Sequence, residues 1–372
     1  MTRRPFQIVS ALLLVLLVPL AGRADYRSKA DEASAYIQRT FWDEQAGLYR
    51  PASPPDPKAL PYDFMWANGV QFSALAAAAR RDPERYRPVM ERFFNGLERY
   101  WDAAAPLPGY DAYFSSPTSD DKYYDDNAWM ALALVEAYEG TRDRRYLDRA
   151  EATLRFVLSG WDDVLGGGIY WRQDHRSKNT CSNAPAAVAA LALAKHRHRE
   201  EYVAWARRLV AWTSARLQSP EGTFWDSLDL NGKIERTKWT YNTALMLRAN
   251  LGLYRSTGEK ECLREAKRLA AASVKEFVNP ETGAFRDNAL FSHLLVEAFL
   301  DLYRETREPS LLNNARRNAD FLYVAVRDPQ EGGYWNEWKI APERKEARKV
   351  LIANAAAARL FWLMAGYRER AD

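Results

Sequence analysis

The chain has 372 residues, enough for two domains or one large one. At 47% hydrophobic and 27% charged residues it can fill a core, which excludes a disordered chain. Two cysteines exclude a disulfide-stapled scaffold and a four-thiolate metal site, and four histidines argue against a multi-histidine centre.

Arg3 and Arg4 precede an apolar run from Ile8 to Leu20, and the small-x-small triplet Gly22-Arg23-Ala24 stands before Asp25. This order predicts a secretory signal peptide over residues 1–24. A membrane anchor is the alternative, but the run is shorter than the roughly 20 residues a span needs. The mature chain is expected to be secreted or periplasmic, with no stable membrane insertion. Loss of Arg3, Arg4 and Arg23 lowers the net charge from +4 to +1. A nucleic-acid binder should keep a basic excess, so nucleic acid is not an expected partner.

From residue 25 on, apolar residues recur at i, i+3 and i+4. The pattern predicts twelve helices near 27–43, 62–81, 84–102, 123–140, 143–158, 182–197, 199–217, 240–256, 259–277, 288–306, 309–325 and 348–367. Charged amphipathic helices such as Glu84–Trp101 and Glu259–Phe277 alternate with helices apolar nearly all round, such as Ala128–Ala137 and Ala184–Ala194. The first kind faces water on one side and the second is buried. Each buried helix carries an asparagine near its start: Asn68, Asn127, Asn183, Asn242, Asn288 and Asn354, about 57 residues apart on average. Such a period marks a repeated unit. Residues 25–372 are expected to form one domain, an all-α (α/α)6 toroid with six outer and six inner helices.

The long connections, Pro106–Lys122, Trp161–Thr180, Pro220–Lys238 and Asp328–Arg348, all lead into inner helices. One rim therefore carries the spare chain, and long structureless loops are often functional. Inner-helix N-termini at this rim present free N–H groups and a partial positive charge. Each asparagine is either a first-turn hydrogen-bond partner or a group lining a rim site.

The sharpest local feature is Tyr123-Tyr124-Asp125-Asp126-Asn127-Ala128-Trp129, at the start of an inner helix. Adjacent carboxylates there can sit about 5–6 Å apart, the separation of retaining glycosidases. One would attack an anomeric carbon while the other passes a proton. The plainer alternative is capping, since acids favour helix N-termini. Asp63, Asp174, Asp226, Asp229 and Glu337 are further rim acids, each read as a solvated loop acid or a sugar-hydroxyl acceptor.

Aromatics crowd the same ends: Trp66, Trp129, Trp171, Trp225, Trp239, Trp335 and Trp338, with Tyr124, Tyr170, Tyr241 and Tyr334. They either anchor loops or floor a cleft whose flat faces suit sugar rings. Gly166-Gly167-Gly168 is not a nucleotide-binding loop, because no strand precedes it and no Lys-Ser/Thr pair closes it.

Three ordered motifs give these pieces a relative. They are Tyr124-Asp125-Asp126-Asn127-Ala128-Trp129; Gly167-Gly168-Ile169-Tyr170-Trp171 followed by Lys178-Asn179-Thr180-Cys181-Ser182-Asn183; and Trp239-Thr240-Tyr241-Asn242. Together they resemble glycoside hydrolase family 76, the α-1,6-mannanase family, over roughly residues 30–365. The resemblance implies an (α/α)6 barrel and a retaining endo-acting α-mannanase, with Asp125 as nucleophile and Asp126 as acid/base. The sequence departs from the family at Thr243-Ala244, where Gln-Gly is usual, and at Asp63-Phe64-Met65-Trp66-Ala67-Asn68. Phe224-Trp225-Asp226 looks like a further substrate-contacting acid.

The expected substrate-binding set is Asn68, Tyr124, Asn127, Trp129, Trp171, Asn183, Asp226, Trp239, Tyr241, Asn242 and Trp335. The expected partner is an oligo- or polysaccharide and the expected state a monomer; no metal or cofactor is expected. The alternatives are a mannan transglycosylase, an unsaturated-uronide hydrolase using Arg172, His175, Arg176 and Lys178, or a non-catalytic glycan-binding protein. A sugar epimerase would need rim histidines, whereas His196 and His198 fall at a helix end.

Overall fold

The computed structural model describes residues 25–103, 107–114, 122–338 and 348–367; residues 1–24, where a signal peptide is expected, lie outside them. Twelve α-helices form: α1 Tyr26–Thr40, α2 Met65–Arg81, α3 Pro83–Leu97, α4 Tyr124–Thr141, α5 Arg144–Ser159, α6 Thr180–Leu193, α7 Arg199–Leu217, α8 Thr240–Thr257, α9 Lys260–Phe277, α10 Ala289–Thr306, α11 Pro309–Phe321 and α12 Leu351–Met364. The even-numbered helices close a ring, each packed on the next, with α12 against α2. Each odd-numbered helix packs outside an even one: α3 on α2, α5 on α4, α7 on α6, α9 on α8, α11 on α10 and α1 on α12. This is an (α/α)6 barrel. Its first and last helices are also tied by an antiparallel pairing of Ala52–Ser53 with Lys349–Val350.

The two helix kinds have separate causes. Inner helices are buried on all sides because both neighbours and an outer helix cover them; Ala355, Ala356 and Ala357 are fully inaccessible. Small side chains let six helices crowd one axis. Outer helices α3, α5 and α9 instead bury one stripe, such as Ala266, Leu269, Ala270, Ser273 and Phe277 of α9. Links from inner to outer helices are short because residues in the left-handed region turn the chain at once: Arg142, Gly258 and Arg307 follow α4, α8 and α10.

Predicted boundaries shift at a few ends. The third helix stops at Leu97 because the chain tightens over Glu98–Tyr100, and Trp101–Asp102 then pairs with Gly109–Tyr110. Residues after Phe321 continue as a wider turn, Leu322–Val326.

The asparagine repeat is real, but not for all six residues. Asn68, Asn127, Asn183 and Asn354 are the fourth residues of their helices. Asn127 accepts from Tyr110 N at 2.8 Å and donates to the carbonyls of Tyr110 and Tyr123. Asn183 does the same with Ile169 and Asn179, and Asn354 with Tyr334 and Val350. Each amide therefore staples the incoming loop to the helix it enters. In α8 and α10 the fourth residues are Thr243, which accepts from Phe224 N, and Ser292, which donates to the Asn288 carbonyl. Asn242 is thus one place out of register, and Asn288 caps α10 from outside the helix by accepting from Leu290 N.

A second ring precedes each inner helix by two residues: Asp63, Lys122, Lys178, Lys238, Asp287 and Lys349. The lysines point back into the loops. Lys178 is fully buried between Asp162 and the carbonyls of Val164 and Gly167. Lys349 meets Asp328 at 2.8 Å, and Lys122 pairs with Asp102.

Candidate active site

Register along the inner helices decides what faces the axis. The second residues are Trp66, Asp125, Cys181, Tyr241, Leu290 and Ile352; the third are Ala67, Asp126, Ser182, Asn242, Phe291 and Ala353. The polar side chains at these two positions are confined to half the ring, on α4, α6 and α8. The other half is an apolar wall in which Ala67, Val70, Ile352, Ala355 and Ala356 pack with Phe64, Trp66 and Leu290.

On the polar half the Asp125 carboxylate is held from two sides. Its Oδ1 accepts from the Asp126 N–H at 2.9 Å, and its Oδ2 from Trp171 Nε1 at 2.8 Å. The Cys181 thiol also lies 3.5 Å from Oδ2. Burial raises the Asp125 pKa to about 7 against the lowering effect of these donors. Asp126 is 7% exposed. Two adjacent carboxylates cannot both ionise cheaply in such a place, so the pair keeps a proton close to neutral pH.

The loops supply the rest. Trp171 is 40% exposed and is fixed by backbone bonds from Tyr124 N to its carbonyl and from its own N–H to Ser177 O, both 2.9 Å. Ser177–Asn179, Ser227–Asp229 and Ile234–Glu235 form a small sheet at this rim. That sheet holds Asp226 beside the start of α6, where its carbonyl accepts from Thr180 N at 2.8 Å. Burial raises the Asp226 pKa, opposed by its contact with the Asn242 side chain. Asn242 is fully buried. Displacement from the stapling register frees its amide for this contact.

Rings line the axis around the carboxylates. Tyr241 stacks on Phe291 at 4.4 Å, Phe291 on Trp66 at 5.4 Å, and Trp129 lies 6.3 Å from Tyr241. Trp239 adds an edge to Phe291 at 5.0 Å.

Several expected substrate contacts stand elsewhere. Asn127 and Asn183 are buried and bonded to backbone, and Asn68 is buried and donates to the Asp63 carbonyl at 3.0 Å. These three are stapling groups, the first-turn alternative, and do not line the cleft. Tyr124 turns outward and stacks on Phe156 of α5 at 5.0 Å. Trp335 lies before α12, on the apolar side, with the Lys349 ammonium 4.2 Å from its ring centre. Trp338 is buried. The glycine run is explained by packing: a Cβ on Gly168 would stand 2.6 Å from Trp212, and Gly168 has a φ of +91°.

The uronide alternative loses its cations. Lys178 is sealed in its loop, Arg172 is tied to Asp174 and the Tyr123 hydroxyl, and the His175 ring stacks on Tyr170 at 4.1 Å. Arg176 is exposed and pairs with Asp174. His293 is buried in α10, where desolvation pushes its pKa down to about 4. Among the described residues no group of three or more His, Cys, Asp or Glu side chains is placed to hold a metal ion. No described helix is long and apolar enough to cross a membrane.

Cys181 and Phe291 are the axis residues that motif reading did not assign a part. Aligning the six inner helices on their fourth residues would have found both.

Comparison with known proteins agrees with this fold. The family model for glycosyl hydrolase family 76 matches residues 25–320. The chain belongs to that family. This glycoside hydrolase shares its fold with the GH76 alpha-mannanase BT2949 of Bacteroides thetaiotaomicron, at a TM-score of 0.87 and 25% identity, covering 93% of this chain and 97% of that one. It is also similar to the alpha-1,6-mannanase GH76A of Salegentibacter sp. HEL1_6, at a TM-score of 0.78 and 25% identity, covering 93% and 100%. That enzyme was solved in complex with alpha-1,6-mannotetrose as an inactive variant with two consecutive aspartates replaced. A curated relative, the meiotically up-regulated gene 191 protein of Schizosaccharomyces pombe, is 27% identical over 319 residues, 75% of this chain and 71% of that protein.

Proposed function

We propose that this family 76 enzyme is an exported, retaining endo-acting hydrolase of α-1,6-linked mannose chains. The observation that carries the reading is the Asp125–Asp126 pair in the first turn of α4, among aromatic rings and beside an exposed tryptophan.

In the proposed mechanism an Asp125 oxygen attacks the anomeric carbon as the glycosidic C–O bond breaks. Asp126 gives its proton to the departing sugar oxygen. Water then attacks the anomeric carbon, Asp126 takes its proton, and the bond to Asp125 breaks to release the sugar. The reaction needs Asp125 ionised and the proton on Asp126; burial raises the Asp125 pKa to about 7, so the ionisation of Asp125 sets the acid side of the rate profile. The positive ends of the α4, α6 and α8 dipoles stabilise the remaining negative charge. Trp171 and Trp239 offer ring faces, and the Asp226 carboxylate, held by the buried Asn242 side chain, offers a hydroxyl partner to the neighbouring sugars. Export rests on residues 1–24 acting as a cleaved signal peptide.

The test is product analysis on α-1,6-mannan with wild type and Asp125→Asn. Wild type should release mannooligosaccharides with retained configuration, and the variant should lose at least about 10³-fold in rate. A variant that cuts at the wild-type rate would remove Asp125 from the role of nucleophile. A wild type that binds α-mannan and never cuts it would leave a binding protein.

A further inference from the structure

Three adjacent inner helices place Asp125, Cys181 and Tyr241 at the same register, side by side around the axis. The Cys181 sulfur lies 3.5 Å from Asp125 Oδ2 and is also hydrogen-bonded to the Tyr241 side chain. Cys181 is 4% exposed, and Tyr241 is locked by its stack on Phe291. A thiol carries one proton. With the Tyr241 hydroxyl donating to the sulfur, the S–H is left to point at Asp125.

We propose that Cys181 is a positioning residue for the reaction: its S–H, aimed by Tyr241, joins Trp171 Nε1 in occupying Oδ2 of Asp125. The inference rests on Asp125 acting as nucleophile. Oδ2 then has both lone pairs engaged by side-chain donors, whereas the remaining donors to the carboxylate are backbone N–H groups, that of Asp126 on Oδ1 and that of Asp125 itself. Oδ1, free of side-chain donors, is therefore the oxygen offered to the anomeric carbon, and the ring of donors keeps the carboxylate from rotating. Burial and the neighbouring acids push the Cys181 pKa well up, so it stays a donor across the working range of pH. Facing the thiol are Asp125 and Asp226, which act in that direction, and Tyr241, whose hydrogen bond opposes it.

The sign of the effect follows. The thiol lowers the Asp125 pKa, so its removal raises the pH at which the nucleophile ionises. Cys181→Ala should move the acid limb of kcat/KM upward by about half a pH unit and lower kcat more than it changes KM. Cys181→Ser restores an O–H donor and should return the limb toward wild type. Tyr241→Phe should move it the same way as Cys181→Ala, by less. Thermal melting across pH checks the Ala variant independently: its effect on Tm should depend on pH and lose that dependence in an Asp125→Asn background. An unmoved limb in Cys181→Ala, with loss of rate matched by Ser, overturns the proposal. Those results come from an active enzyme, so they are distinct from failure of the nucleophile assignment, which Asp125→Asn reports.

Discussion

At one end of the barrel Asp125 and Asp126 sit in the first turn of α4, with Asp226 and Asp287 nearby at the starts of α6 and α10. The other end is ringed by cations: Arg80 and Arg81 close α2, Lys195 follows α6, Arg255 closes α8 and Arg304 closes α10. A cavity of about 450 Å³ lies at this second end, lined by Arg80, Lys195, Arg255 and Arg304 and reaching inward to Trp129. Six parallel helices explain both. Their N-termini add positive potential to one end and their C-termini negative potential to the other, so carboxylates are stabilised at the first and cations at the second.

The ends also differ in how their charges are satisfied. In the far chamber Arg359 reaches Glu136 at 2.6 Å, Glu297 at 2.8 Å and the Ser73 carbonyl at 2.9 Å. Arg248 meets Glu297 at 3.0 Å and Asp301 at 2.9 Å. This network ties α2, α4, α8, α10 and α12, and every charge in it has an opposite partner. Asp125 has only neutral donors. The far end spends its charge on holding the barrel, and the near end leaves a carboxylate under-compensated.

Substitutions at the two ends should therefore separate activity from stability. Asp125→Asn should give the largest effect, the rate loss of at least about 10³-fold set out above, with Tm unchanged or higher above pH 7. Glu297→Ala should do the reverse. Taking from Arg248 and Arg359 the carboxylate they share leaves each with one partner, Asp301 and Glu136, and should cost about 3 kcal/mol, read by urea unfolding, while the folded fraction keeps its specific activity. Equal loss of activity and stability at both ends would break the distinction.

The staples give a smaller effect. Asn183→Ala leaves the Ile169 N–H and carbonyl without partners and should cost about 1–3 kcal/mol. Because Ile169 begins the approach to Trp171, KM should also rise. Asp63→Asn should be smallest and opposite in sign. Asp63 stands where four other repeats have lysine, and burial lifts its pKa from 3.8 to about 7. With the folded value above the unfolded one, wild type is favoured below pH 4 and loses that advantage as pH rises through 7. The variant should match wild type at pH 4 and exceed it by on the order of 1 kcal/mol above pH 7, by thermal melting at each pH.

Helix number, alternation and closure were legible in the sequence because small-residue inner segments and one-sided outer segments have distinct patterns, and both ends of the barrel follow from helix direction. The acidic pair was legible too, since Asp125-Asp126 opens an inner helix. What eluded the sequence was register. The asparagines read as one series because type is visible and position within a turn is not. Thr243 and Ser292 take the stapling place in two helices, which sets Asn242 free and leaves Asn127 and Asn183 as structural groups. Tyr124 and Trp171 likewise look equivalent as rim aromatics, yet a helix turn sends one outward onto Phe156 and a loop brings the other to Asp125.

The sequence alone determined that this chain is a closed ring of helix pairs with paired carboxylates at one rim, because periodicity and helix polarity are local properties. Only the tertiary structure decided which half of that rim is polar, and that Cys181 and Tyr241 stand beside Asp125. Those contacts join residues more than fifty positions apart, and packing about a common axis, which no local pattern encodes, brings them together.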